Sequence, residues 1–345
     1  MVKGAKGFLK KYEEVLGDSC MDKIMEDVKS GIELFSKRIT EGTADGYFGT
    51  MYFHLLRDEK ILFYGIQKSA TTGDMSYMLN GIYQWNRFTC VFRNRLTSGG
   101  SQVINFIECV LAYACNDDML LEKMMPRSLG PANFGYPAPY YNMLYAMTYH
   151  DEETGQKAQE ELHSFMEKKR PKFDLKLAKY FLDLYSKNVE AVNEDLQELC
   201  NAMSKCNWIN EHMYGLDKGI RVLGNTTVIF IHGLYHIAVK YLRNSSLADK
   251  VAMPEHKSFL KEYEEFNLEH DFPKPQNLID FDDTAKFINE SIRTEVIPEV
   301  SLYKPERNYV NDGDRFEKTL FQNLQKSGVL QVELEKEPYI FLGIK

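Results

Sequence analysis

Residues 225–244 read NTTVIFIHGLYHIAVKYLRN, and two incompatible folds compete for them. As a strand, Val228 to Ile231 would run into His232-Gly233, the way an α/β-hydrolase brings a backbone donor to its oxyanion hole. That fold also needs a nucleophile elbow, Gly-x-Ser-x-Gly. The chain has none; its nearest approach, SGGSQ at 98–102, lacks the second glycine and precedes the strand. As a helix capped by Asn225, the segment places Phe230, Ile231, Leu234, Ile237, Ala238, Tyr241 and Leu242 on one broad face at the helical period. His232 and His236 then lie roughly opposite, beside Lys240 and Arg243, and are expected to face solvent or a partner. Two histidines four apart also suggest zinc. The metalloprotease pair, however, carries a glutamate directly after the first histidine, where this chain has Gly233. The cations nearby disfavour a divalent metal as well. The helical reading prevails, and no metal is expected.

The same period extends outward in both directions. Met21, Ile24, Met25, Val28, Ile32, Phe35 and Ile39 form one stripe, with Asp18 or Ser19 as candidate cap. A second block covers 47–68 and a third begins at Asp74. A Ser101-capped helix ends near Cys115. Residues 126–139, with four prolines and two glycines, break the rhythm as a linker or a long ordered loop. Helices are then expected near 140–150, 154–168, 173–187 and 188–205. The stripe of 173–187 covers more than half the circumference, so both sides should be buried. That of 188–205 is narrower, with Val189, Val192, Leu196, Leu199, Cys200 and Met203 inward and Glu190, Glu194 and Glu198 outward. The tail reads as a helix over 314–326, stopped by Gly328, followed by a hairpin with a Lys-Glu-Pro turn. The fold class is therefore mainly α: an irregular antiparallel helical-hairpin array with a short C-terminal β-hairpin. Its expected divisions are 1–125, 140–300 and 301–345, the last as a packed cap on the array.

Composition narrows the function. The 345 residues are 44% hydrophobic and 13% aromatic, in the globular range. Net charge is −8, from 42 basic and 50 acidic residues, which argues against a nucleic-acid surface and suits a basic protein partner. Six scattered cysteines without Cys-x-x-Cys spacing suggest reduced core residues. Without an apolar leader or a long apolar run, a cytoplasmic location and no membrane span are expected.

Other candidate sites favour structure over chemistry. Arg87, Arg93 and Arg95 in NRFTCVFRNR could clamp a phosphate or carboxylate, but pairing with the surplus acids is the expected role. The acidic run EYEEFNLEHD (262–271) reads as a solvated face. No phosphate-binding glycine loop or other catalytic signature is present. An enzyme assembled from scattered polar residues around His232, His236 or the arginines is the alternative from another class.

The stretch FDLKLAKYFLDLYSKNVEAVNEDLQELCNAM (173–203), followed by MPEHKSFLKEYEEFNLEHDFPKPQNLI (253–279), resembles the immunity protein 49 family of bacterial polymorphic-toxin systems in layout. The resemblance spans about 140–280. It implies an all-helical cytoplasmic protein that binds and neutralises a cognate toxin, without cofactor or turnover. Glu190, Glu194 and Glu198 are the partner-binding candidates from the residue pattern. A helical-repeat scaffold for protein–protein interactions is the other non-catalytic reading.

Overall fold

Gly233 marks a close crossing of two buried helices. A Cβ there would lie 2.2 Å from the carbonyl oxygen of Val110, so the helices Phe106–Ala114 (α5) and Ile229–Leu242 (α13) cross almost backbone to backbone. Every residue of α5 is buried, and α13 is buried from Ile229 to Val239. Helices apolar around most of their circumference belong at the core of a domain, and the others are arranged about this pair. The computed structural model describes residues 2–17, 20–43, 59–95, 105–132, 138–281, 285–304, 309–336 and 339–344. The candidate caps Asp18, Ser19 and Ser101, the start of the 47–68 block and part of the 126–139 break lie outside them.

Near the N-terminus come Lys6–Val15 (α1), Cys20–Thr40 (α2), Lys60–Thr72 (α3) and Ser76–Asn94 (α4). The last two cross at a second close point, where a Cβ on Gly65 would meet the Tyr77 carbonyl at 2.5 Å. Asp118–Met124 (α6) follows α5. Ala138–Tyr149 (α7) with Glu152–Met166 (α8), and Lys172–Tyr185 (α9) with Val189–Met203 (α10), form consecutive packed pairs near the predicted positions.

Three joints share one local design. Asn116, His150 and Lys187 adopt left-handed φ values of 58°, 53° and 57°. The next residue, Asp117, Asp151 or Asn188, accepts a hydrogen bond from a first-turn amide of the following helix. Its own N–H closes back on the preceding helix at 2.8–3.0 Å. A left-handed residue followed by a capping Asp or Asn thus ends one helix and starts the next.

Asn207–Tyr214 (α11) and Lys218–Gly224 (α12) precede α13. The stretch Lys218–Leu242 is long and apolar enough to cross a membrane, but 83% of its apolar window is buried inside this protein, as a core helix would be. Asn225 closes α12 instead of capping α13. The residue before α13 is Val228, left-handed at φ 38° and buried. That conformation is costly for a β-branched residue.

Beyond α13, extended segments cross the helical body on the way to Lys261–Glu269 (α14) and Lys286–Ser291 (α15). Side-chain amides hold them. Gln84 donates to Ile279 O at 2.8 Å and accepts from Ile279 N at 2.9 Å. Asn193 donates to Lys250 O and accepts from Ala252 N, and Asn289 clamps Phe281 in the same way. An amide side chain offers one donor end and one acceptor end, which supplies the strand partner that an isolated segment lacks.

The tail contains Leu302–Tyr303 (β1), antiparallel to Val310–Asn311 (β2), then Gly313–Lys326 (α16) and the hairpin Leu330–Glu333 (β3) with Ile340–Ile344 (β4). The described fold is mainly α with this short C-terminal hairpin, as the periodicity predicts. The hairpin packs on α16 and on α2, where Phe341 meets Phe35 at 5.4 Å. The tail therefore caps the N-terminal helices. Buried hydrophobes from Val2 to Phe341 form one continuous cluster.

Candidate functional site

His232 and His236 are fully buried, which corrects the expectation that they face solvent or a partner. Their helix is buried on every side as far as Val239. α5 lies against one flank, and α14 covers the flank the histidines occupy. The covering residue is Glu264, also fully buried and drawn from the run expected to be a solvated face. That expectation holds for Glu265 and Glu269, which are exposed, and fails for Glu264.

The three side chains form a closed network. Glu264 Oε1 lies 2.5 Å from His232 Nδ1, and Oε2 lies 2.7 Å from His236 Nε2. His232 Nε2 accepts from the Leu260 amide at 3.4 Å, so its proton sits on Nδ1, directed at Glu264. His236 has acceptors on both sides, Glu264 and, at 2.8 Å, the Tyr113 carbonyl. Burial pushes the Glu264 carboxyl upward, but the His236 charge and the two imidazole hydrogen bonds outweigh it and hold the pKa below the ordinary value. Aromatic rings seal the assembly, with Phe259 stacked on His232 at 4.1 Å and Phe272 edge-on to His236 at 5.1 Å. All four ring nitrogens face partners within the chain. Among the described residues, no group of three or more His, Cys, Asp or Glu side chains is placed to hold a metal ion. The network ties α13, α14 and the end of α5 together.

The three arginines form ion pairs. Arg87 meets Asp117 through two hydrogen bonds of 2.6 and 2.8 Å and donates to the Ile292 carbonyl at 2.6 Å. Arg93 pairs with Glu108, which also meets His212 Nε2 at 2.8 Å. Burial would raise the Glu108 pKa, yet His212 and Arg93 together hold it down at about 2. Arg95 pairs with Glu317 at 2.8 Å. All six cysteines are free and buried. Desolvation raises the thiol pKa of Cys90, Cys109, Cys115, Cys200 and Cys206, opposite to what a nucleophile needs.

Glu190, Glu194 and Glu198 are exposed along the outer side of α10, and Glu198 pairs with Lys176 of α9. The flank beside them is covered by the segment that Asn193 clamps, which Gln197 also holds by accepting from the Glu255 amide at 2.7 Å. The acidic row thus borders a fixed extended segment. Nearby, α9, α10 and α11 enclose a cleft of about 520 Å³ lined by Asp174, Trp208 and several lysines.

Sequence reasoning missed Glu264 as a core residue. The available signal was Leu260, Tyr263 and Asn267, whose spacing defines an inward face that also contains position 264. Comparison with protein-family models, curated proteins and solved structures returns no match for this chain.

Proposed function

We propose that this protein is a cytoplasmic, non-catalytic immunity protein that binds and neutralises a cognate bacterial toxin. One observation carries the non-catalytic part: the titratable groups most suited to chemistry are sealed inside the fold and bonded to one another. His232, His236 and Glu264 bond one another and nearby backbone, and Arg87 bonds Asp117, Thr294 and the Ile292 carbonyl. A group held that way stiffens the structure and does not meet substrate. The layout resemblance of 140–280 to toxin-immunity proteins supports the toxin as partner.

The outer face of α10 is the proposed contact surface. Its inward stripe is buried by the array, so Glu190, Glu194 and Glu198 are presented on a fixed helix. With a net charge of −8, the body attracts a basic partner and speeds association. Co-expression with the toxin encoded beside this protein's gene tests the function through growth. Association rates at two salt concentrations test the surface. Replacing the three glutamates with lysine should slow association and flatten its salt dependence. Failure of the unmodified chain to protect cells or bind that toxin removes the immunity reading. Protection with unchanged association in the triple variant removes only this face.

A further inference from the structure

The last turns of α7, α9 and α13 meet at a pair of adjoining clefts, which share His150 and Tyr241. Helix C-termini carry partial negative charge and draw cations. In one cleft the chain supplies those cations itself. Arg127 lies over the Tyr149 ring at 4.6 Å. Lys240 lies over Tyr113 at 5.5 Å and pairs with Asp118 at 2.9 Å. A positive group held over a tyrosine face is a cation–π contact, strengthened where a carboxylate stands beside it.

The other cleft, of about 440 Å³, repeats these elements in Tyr185, Tyr241 and Glu152. Gly155 makes room for Tyr185: a Cβ there would lie 2.4 Å from the phenol oxygen, so the ring rests on the first turns of α8. Glu152, three residues earlier, shares that face of the helix. Burial raises both phenol pKa values; the Glu152 charge adds to the rise at Tyr185, and Tyr185 and Glu152 add to it at Tyr241. The carboxylate therefore stands beside both rings. Both rings are half-buried and Glu152 is exposed. Among the described residues, no cation lies over either ring and Glu152 forms no ion pair. Lys187 is the only lysine or arginine lining this cleft, exposed at the left-handed joint after α9. The positive end of α8 is capped by Asp151. Gln156 and Asn244, both exposed, add amide oxygens as acceptors. A guanidinium offers five N–H donors, no acceptor and a flat face that stacks on aromatic rings, whereas an ammonium lacks the flat face. We propose that this cleft binds a guanidinium group against Tyr185 and Tyr241, hydrogen-bonded to Glu152 and presented by a small guanidino compound or by an arginine side chain.

The purified chain tests this without any toxin, so the outcome is independent of the immunity reading. Butylguanidine presents the group on a small molecule, and the capped peptide acetyl-Gly-Arg-Gly-amide presents it as a side chain. Both are titrated into the full chain by calorimetry, with butylamine as the matching ammonium. We expect saturable binding of at least one guanidinium probe, about fivefold or more tighter than butylamine, and the tighter probe identifies the source. Glu152→Gln should weaken that binding about tenfold by removing the charge. Tyr241→Leu should weaken it about fivefold by removing a ring. Lys187→Gln should bind at least as tightly as the native chain, because it removes a repelling charge from the cleft. Absence of saturation by both guanidinium probes at millimolar concentration overturns the proposal. So does butylamine binding as tightly as butylguanidine, weaker binding in Lys187→Gln, or unchanged affinity in a folded Tyr241→Leu protein. If that variant does not fold, unchanged affinity in Glu152→Gln, whose side chain is exposed, overturns it.

Discussion

Removing the Glu264 carboxylate should reveal how much the buried network contributes, and two substitutions separate charge from hydrogen bonding. In Glu264→Ala, His236 keeps its bond to Tyr113 O but loses its carboxylate partner, and His232 Nδ1 loses its acceptor. Breaking one partner out of a buried pair typically costs about 3–5 kcal/mol, a large share of a domain stability of roughly 5–15 kcal/mol. Glu264→Gln is different. The Gln Oε1 can accept from His232 Nδ1–H, and its Nε2 can donate to His236 Nε2. The bond to Tyr113 O survives, so every polar atom remains paired. The loss then reduces to exchanging charge-assisted for neutral hydrogen bonds, about 1–2 kcal/mol. Urea unfolding at neutral pH, followed by circular dichroism, measures both. A loss below about 1 kcal/mol in the alanine variant, or equal losses in the two, would refute the assigned network. The sign with pH follows from the depressed carboxyl pKa. The Glu264 contribution is present above the unfolded value near ~4.3 and disappears as pH falls through the lower folded value. The stability gap between the native chain and the glutamine variant should close in acid.

Replacing His232 and His236 together with alanine should destabilise by several kcal/mol, because Glu264 would remain buried and unpaired; an unchanged urea midpoint would contradict the burial described here. Gly233→Ala should lower thermal stability by about 1–3 kcal/mol or more, since the Val110 carbonyl it would meet is helix backbone and cannot rotate away; a melting temperature equal to the native one would show that the crossing is looser. Glu108, depressed to about 2, should contribute stability above the unfolded carboxylate value and lose it as pH falls toward 2; Glu108→Gln should flatten that part of the acid-unfolding curve, and an unaltered slope would assign it to other carboxylates. Changing Glu190, Glu194 and Glu198 to lysine should alter stability by no more than about 0.5 kcal/mol per site, and a cooperative loss in thermal melting would mean that the face is structural.

The sequence alone determined the helices, because a 3.6-residue period is a local property. The stripes at 21–39, 173–187 and 188–205 reappear in α2, α9 and α10, and the Phe316–Leu324 pattern with Gly328 reappears in α16 and its hairpin. The joint chemistry is local as well, since Asn188 caps from within its own turn. The expected pairing of the three arginines with acids also followed from composition. Which polar residues are internal was decided only by the tertiary structure. A stripe identifies the more apolar face of a helix, but it does not reveal whether a second body covers the other face. For α13 that body is α14, and Glu264 lies 32 and 28 positions from the histidines it binds. His236 also reaches Tyr113, 123 positions away. Pairings over such distances leave no periodic trace, since each ring and carboxylate is satisfied only when the chain brings them together. The same limit hid the Asp174 cleft, which α9 and the joint between α10 and α11 form only together.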